Sequence, residues 1–211
     1  MLSPEVRDFL SRFEARTHAV LFYDNQETKR ELLFSHLKFG QDRQGQAYVC
    51  SEESPDQIRE EMAAFGLDTK TFRGNNRLMI ANYDDVYIVK GEVDIPRIIG
   101  KFASMVDTYK SRGFKGMRGA AEMSCFFQHG KVNELIAYEN ALHRKFSFAA
   151  EGICAYNILE MGKSGCLDLV MSLVRAHDPI IFASPNGYLI RKPDKVEERH
   201  VEMIMQVQIR N

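Results

Sequence analysis

Gly116-Met117-Arg118-Gly119-Ala120-Ala121-Glu122-Met123 reads as an inner strand whose small residues let neighbouring layers approach closely. At a period of two, Arg118, Ala120 and Glu122 share one face. A charged pair bracketing an alanine, with glycines beside it, is unusual in a buried strand. The helix expected next, over about residues 131–148, repeats the oddity. Its apolar stripe is Val132, Leu135, Ile136, Leu142 and Phe146, and Glu139 lies within it. A carboxylate in that place must be paired, hydrogen-bonded or protonated, because burying it alone is costly. The pattern predicts one polar cluster of Arg118, Glu122 and Glu139 inside an apolar scaffold, with Arg118 as the partner of either acid.

Outward from this strand, short apolar runs alternate with helical patterns. Ala19-Val20-Leu21-Phe22-Tyr23 is a continuous run, which suits a parallel strand covered on both faces. A helix opening at Thr28, with Glu31 completing a capping box, is expected to end at Gly40. Gln46 to Cys50 is a second strand, and Ser54-Pro55-Asp56-Gln57 starts a second helix. Arg77 to Ala81 is a third strand, and Asn82 to Val93 a hairpin or lid. A strong helix from Asp94 to Arg112 precedes the central strand. Cys125-Phe126-Phe127 and a turn at His129-Gly130 follow it. After the Glu139 helix come a strand over Gly152–Ile158, a helix over Cys166–His177, and a strand over Ile180–Ala183. That last strand turns at Pro185-Asn186-Gly187 into an antiparallel edge at Tyr188-Leu189-Ile190. Residues 195–211 read equally as helix or strand. The alternation predicts a three-layer α/β/α domain with a mostly parallel central sheet. We divide the chain into an N-terminal helix (1–16), the α/β domain (17–192) and a C-terminal interaction segment (193–211).

The chain has 211 residues, 45% of them hydrophobic and 27% charged, with a formal net charge of -1. That composition fits one soluble globular domain, and no basic excess points to nucleic acid or to an anionic membrane surface. No apolar run is long enough to span a bilayer, and residues 1–16 lack a signal-peptide core. A cytoplasmic location is the expectation. Cys50, Cys125, Cys154 and Cys166 form no C-x-x-C pair and have no zinc-ligand spacing, so neither a metal nor a cofactor is expected.

In such sheets ligands bind beyond the carboxyl ends of the strands. The first such loop, Tyr23-Asp24-Asn25-Gln26-Glu27-Thr28-Lys29-Arg30, is where a phosphate loop would sit. It has no glycine and carries two acids, so it is a poor phosphate cradle. Lys29 and Thr28 alone match a nucleotide site. Cys154 and Tyr156 share a strand face, and His18 and His177 flank strands. Tyr23 ends the first strand. No spacing supports a nucleophile–base pair, and no catalytic residue is assigned.

Several segments resemble the MEDS domain, the methanogen/methylotroph DcmR sensory domain. They are His18 to Tyr23, Gly116-Met117-Arg118 running into Ala121-Glu122-Met123, Tyr138-Glu139, Cys154-Ala155-Tyr156, and His177-Asp178-Pro179. The resemblance covers roughly residues 15–185. It implies a RecA/KaiC-like fold that has lost its phosphate loop, and a non-catalytic sensory module in prokaryotic signal transduction. The ligand implied is a small organic, hydrocarbon-derived molecule, held by Arg118, Glu122, Glu139, Tyr156, Cys154, Tyr23, His18 and His177. A kinase or transcription regulator would be the partner, since neither kinase nor helix-turn-helix is legible here. Two alternatives stay open: a degenerate P-loop nucleotide-binding protein or ATPase using Lys29 and Thr28, and an oligomeric scaffold. Self-association into a homo-oligomer also stays open.

Overall fold

The computed structural model describes residues 2–74 and 76–196. Its strands are β1 (His18–Tyr23), β2 (Gly45–Cys50), β3 (Leu78–Asn82), β4 (Met117–Glu122), β5 (Ala150–Asn157), β6 (Ile180–Ser184) and β7 (Gly187–Arg191). They form one sheet in the order β3-β2-β4-β5-β1-β6-β7. Every neighbouring pair is parallel except β6 and β7, which form the antiparallel edge. The helices are α1 (Pro4–Ser11), α2 (Gln26–Gly40), α3 (Pro55–Ala64), α4 (Thr69–Gly74), α5 (Ile95–Ser111), α6 (Ser124–Gln128), α7 (Val132–Leu142), α8 (Ile158–Lys163) and α9 (Val170–Ala176).

The sheet separates two apolar cores. One is built by α1, α2 and α3, with Leu10, Leu32, Leu33, Leu37, Ile58 and Met62 packed on Leu21, Tyr48 and Ile153. The other is built by α5 to α9, with Phe102, Phe126, Tyr138 and Leu173 packed on Val20, Phe22, Cys154 and Tyr156. All six residues of β1 are buried, which is why it reads as an unbroken apolar run rather than an alternating one. The expected α/β/α layering and the antiparallel edge are both present.

Three local expectations give way. The Thr28–Glu31 box is not the start of α2. Asn25 caps it instead, its Oδ1 accepting from the amides of Glu27 and Thr28 at 2.9 and 3.1 Å. An asparagine three residues earlier starts the helix sooner and takes its first orphan amides. The helix expected over 131–148 stops at Leu142, because His143 adopts a positive φ of 57°. Phe146 therefore lies beyond the helix, where its ring packs on His18 with centroids 4.7 Å apart. The helix expected over 166–177 is a 3-10 turn at Leu167–Leu169 followed by α9.

Cys125 to Phe127 is helical, within α6. The stretch after β3 buries Val86, Tyr87 and Ile88 in the core and closes a small antiparallel bridge, Val89 to Glu92. It is a hairpin fixed in the core rather than a lid. The interaction segment expected at 193–211 lies mostly outside the described residues. Among the described residues, no helix is long and apolar enough to cross a membrane.

Candidate functional site

The expected cluster of Arg118, Glu122 and Glu139 does not exist as one unit. Arg118 and Glu122 do share a face of β4, but four residues of strand separate them by about 13 Å of rise. Glu139, on α7, belongs to the opposite face. Three separate buried polar groups replace the single one.

Arg118 belongs to the first. Its Nε donates to Glu151 Oε2 at 2.6 Å, and its Nη2 contacts the same oxygen. Its Nη1 donates to the carbonyls of Leu10 (3.3 Å) and His36 (3.0 Å), and its Nη2 to Phe13 O (3.5 Å). Gln44 donates to the other Glu151 oxygen. The guanidinium thus ties α1 and α2 to the sheet. A Cβ on Gly40 would lie 2.5 Å from Arg118 Cδ, so glycine at the end of α2 makes room for it.

The second group fills the carboxyl edge of the sheet beside the first loop. Lys29 is fully buried, and its Nζ donates to Glu122 Oε1 at 2.6 Å. It also reaches Glu52 at 3.4 Å and Glu53 at 3.5 Å. Glu122 accepts further from Tyr48 Oη (2.7 Å) and from the amides of Ser51 (2.8 Å) and Glu52 (2.9 Å). Glu52 accepts from Tyr23 Oη and Ser124 Oγ, both at 2.5 Å, and from Gln26.

Burial pushes the Glu52 carboxyl up. Lys29 and the hydrogen bonds from Ser124, Tyr23 and Gln26 outweigh that and hold it below the usual range. For Lys29, burial opposes the charge, but Glu122 and Glu52 raise its pKa on balance. Burial, then Glu52 and Glu122, push the Tyr23 hydroxyl well up, so it stays a donor. In this loop the first α2 amides go to Asn25, Thr28 Oγ1 donates to Asn25 O at 3.0 Å, and Lys29 has internal anions. Neither Thr28 nor Lys29 is offered to an incoming phosphate.

The third group sits on the other face, toward the amino end of the sheet. His18, Glu139, Cys154 and His177 converge from β1, α7, β5 and the end of α9. Each is buried, with donor atoms within 4.8 Å of one another. His18 Nε2 and His177 Nε2 lie 3.2 and 3.3 Å from the same carboxylate oxygen, Glu139 Oε2. His18 Nε2 is 3.4 Å from Cys154 Sγ. Tyr156 Oη donates to the other oxygen, Oε1.

The parallel register sets this meeting, because His18 stands opposite Gly152, two residues before Cys154 on the same strand face. The bridge between His18 and Asp178 brings in the end of α9. Burial, reinforced by His177, lowers the His18 pKa despite Glu139. Burial raises the Glu139 carboxyl, but His177 and His18, where they carry a proton on Nε2, reverse that and hold it well below the usual range. Burial and Glu139 push the Cys154 thiol well up.

Cys154 also borders a small apolar cavity of about 50 Å³, whose walls include Ala47, Val49, Tyr87, Phe102 and Tyr138. A wide groove of about 1520 Å³ opens at the carboxyl edge near Asp24, Arg30 and Tyr188. It exceeds the usual 300–1,000 Å³ of a small-molecule pocket.

Of the sequence-predicted residues, His18, Glu139, Cys154, Tyr156 and His177 therefore meet at one place. Tyr23, Glu122, Lys29 and Thr28 gather at another, and Arg118 joins neither. Sequence reasoning missed Glu52, Tyr48 and Ser124 in the second group, and Glu151 and Gln44 around Arg118. The strand end Cys50-Ser51-Glu52 was the available signal for Glu52.

A family model matches residues 17–177, described as the MEthanogen/methylotroph, DcmR Sensory domain. Among solved structures, a KaiC-like protein from the hyperthermophilic archaeon Pyrococcus horikoshii is similar at a TM-score of 0.57 and 15% identity, covering 85% of this chain and 80% of that one. A second Pyrococcus horikoshii protein is similar at 0.56 and 12% identity, covering 89% and 91%. At these identities the likeness is one of fold. No curated protein sequence matches.

Proposed function

We propose that this chain, which belongs to the MEDS family of sensory domains, detects a small, weakly polar organic molecule in the cavity beside Cys154. The observation that carries this reading is the cavity itself. At about 50 Å³ it has roughly a third of the volume of an engineered apolar cavity that admits benzene. A molecule of a few heavy atoms fits, and the walls are apolar apart from Glu151, whose carboxylate is already paired with Arg118. The cavity is walled by Phe102 of α5 and Tyr138 of α7, so an occupant would press on both helices. Their outer faces are the surface from which a kinase or transcription regulator would read the signal.

A nucleotide-binding or ATPase reading has less support, because Lys29 already has three carboxylates and the α2 amides already have a cap.

The test is a thermal-shift screen of small halomethanes, alcohols, amines and short acids, with magnesium ATP and ADP alongside. A ligand at 100 times its Kd stabilises by about 2.7 kcal/mol. That corresponds to about 5–11 °C for a chain of this size. A Cβ on Gly119 would have Ala47 O at 3.8 Å and Glu151 O at 3.9 Å as its nearest neighbours, which is ordinary contact. Gly119→Ala should therefore fold normally, narrow the cavity and lose the shift. A shift with nucleotide alone, or one that survives Gly119→Ala undiminished, would overturn the reading.

A further inference from the structure

Two imidazole nitrogens and a carboxylate oxygen meet in the third group with nothing positive drawn between them. His18 Nδ1 donates to the carbonyl of His143 at 2.6 Å, and His177 Nδ1 donates to that of Leu173 at 2.7 Å. A carbonyl oxygen can only accept, so each Nδ1 carries its proton. In a neutral imidazole, Nε2 is then a bare lone pair. Both nitrogens lie within 3.3 Å of Glu139 Oε2, itself an acceptor, without being aligned for a hydrogen bond to it. Glu139 Oε2 and His177 Nε2 are buried side-chain atoms without a hydrogen-bond partner. The Cys154 thiol is a weak donor to His18 Nε2 at 3.4 Å, which leaves His177 Nε2 and Glu139 Oε2 as two facing acceptors with no donor between them.

We propose that His18 Nε2, His177 Nε2, a Glu139 oxygen and the Cys154 thiolate bind a divalent transition-metal ion of the zinc class. The spacing fits. Tetrahedral zinc with bonds of about 2.0–2.3 Å sets its donors roughly 3.2–3.8 Å apart. Three of the six donor pairs stand 3.2, 3.3 and 3.4 Å apart, within that range, and the others are no more than 4.8 Å apart, so a bound ion would draw the widest pair in by about 1 Å. The surroundings fit as well. Metal-binding histidines usually hold the remote N–H against a carbonyl or carboxylate, as both do here, and a ligating carboxylate usually has an outer donor, here Tyr156 Oη. Imidazole, carboxylate and thiolate together suit zinc-like ions rather than magnesium or calcium.

The charges close too. A dication with one thiolate and one carboxylate is neutral overall, which suits a fully buried site. The thiol proton leaves to solvent as the sulfur–metal bond forms. This inference does not depend on the organic ligand. It does give Cys154 a second neighbour, because the same sulfur borders the apolar cavity.

The test uses the untagged full chain, refolded with zinc or cobalt because the donors are buried, then dialysed against a weak chelator. About one metal per chain should remain. The cobalt form should show a thiolate-to-metal charge-transfer band in the near ultraviolet. Cys154→Ser should fold and lose that band, and His177→Ala should weaken zinc binding by about tenfold or more in competition with a chelating dye. Far-ultraviolet circular dichroism checks the fold of each variant. Retention of no more metal than a Cys154→Ser/His177→Ala double variant would overturn the proposal. So would a charge-transfer band that persists in Cys154→Ser.

Discussion

Replacing Lys29 by methionine keeps the length of the side chain and removes its charge from a place where Lys29 is fully buried. Breaking a buried ion pair from one side costs about 3–5 kcal/mol, because the partner charge stays behind. Here Glu122 would keep three hydrogen bonds, from Tyr48 Oη and the amides of Ser51 and Glu52. Glu52 would keep Tyr23, Ser124 and Gln26. The lower end of the range therefore applies, about 3 kcal/mol. For a chain of this length that is a fall in Tm of about 6–12 °C. The double variant Lys29→Met/Glu122→Gln removes the closest orphaned charge, leaving Glu52 with its three neutral donors and Glu53 with Arg30, and should recover part of the loss. Urea unfolding and calorimetry of the wild type, both single variants and the double variant close the cycle. A Lys29→Met chain within about 1 kcal/mol of wild type would refute the reasoning. It would mean that the ammonium is not held by Glu122 in solution and is open to a phosphate after all.

Arg118→Met should cost about 3–5 kcal/mol, since it leaves the Glu151 carboxylate buried with Gln44 alone; denaturant unfolding measures it, and the thermal response to small ligands should be unchanged in sign. Gly152→Ala should destabilise by about 1–3 kcal/mol, because its Cβ would stand 2.8 Å from the Phe146 ring, whereas Gly119→Ala should stay within about 0.5 kcal/mol of wild type. Unfolding midpoints of the two alanine variants separate these outcomes. Glu52 has a folded-state pKa below its usual 4.5. Its stabilisation is therefore complete above pH 4.5 and is lost as pH falls toward the folded value, because the unfolded chain takes up the proton first. The stability gap between wild type and Glu52→Gln should narrow below that pH in a series of urea titrations.

Strands and helices were legible where local chemistry decides them. The unbroken run of β1, the Ser54-Pro55 start of α3 and the Asp94 start of α5 all lie where the pattern places them. The end of α7 was not legible, since a positive φ at His143 is marked by neither glycine nor proline. The polar cluster failed for a different reason. Period two correctly places Arg118 and Glu122 on one face but says nothing of the strand length between them. A helical stripe cannot show which side of the sheet α7 will cover. His18, Glu139, Cys154, Tyr156 and His177 were each singled out one by one. Their convergence depends on the pairing of β1 with β5 and on the bridge to Asp178, and contacts across more than a hundred residues leave no local trace.

The place of β1 in the sheet also bears on how the chain is made. Of the strands of this sheet it is the first to be synthesised, yet both its neighbours, β5 and β6, lie beyond residue 149. Until they arrive, the five-residue apolar run Ala19–Tyr23, with two unsatisfied edges, has no strand to pair with, while β2 and β3 can already pair with each other. Non-local pairing of this kind is slow, and an exposed apolar edge invites association with other chains. A growing chain that pauses before β5 therefore exposes this apolar strand to the crowded solution around the ribosome, and chaperone holding during synthesis matters most over that interval.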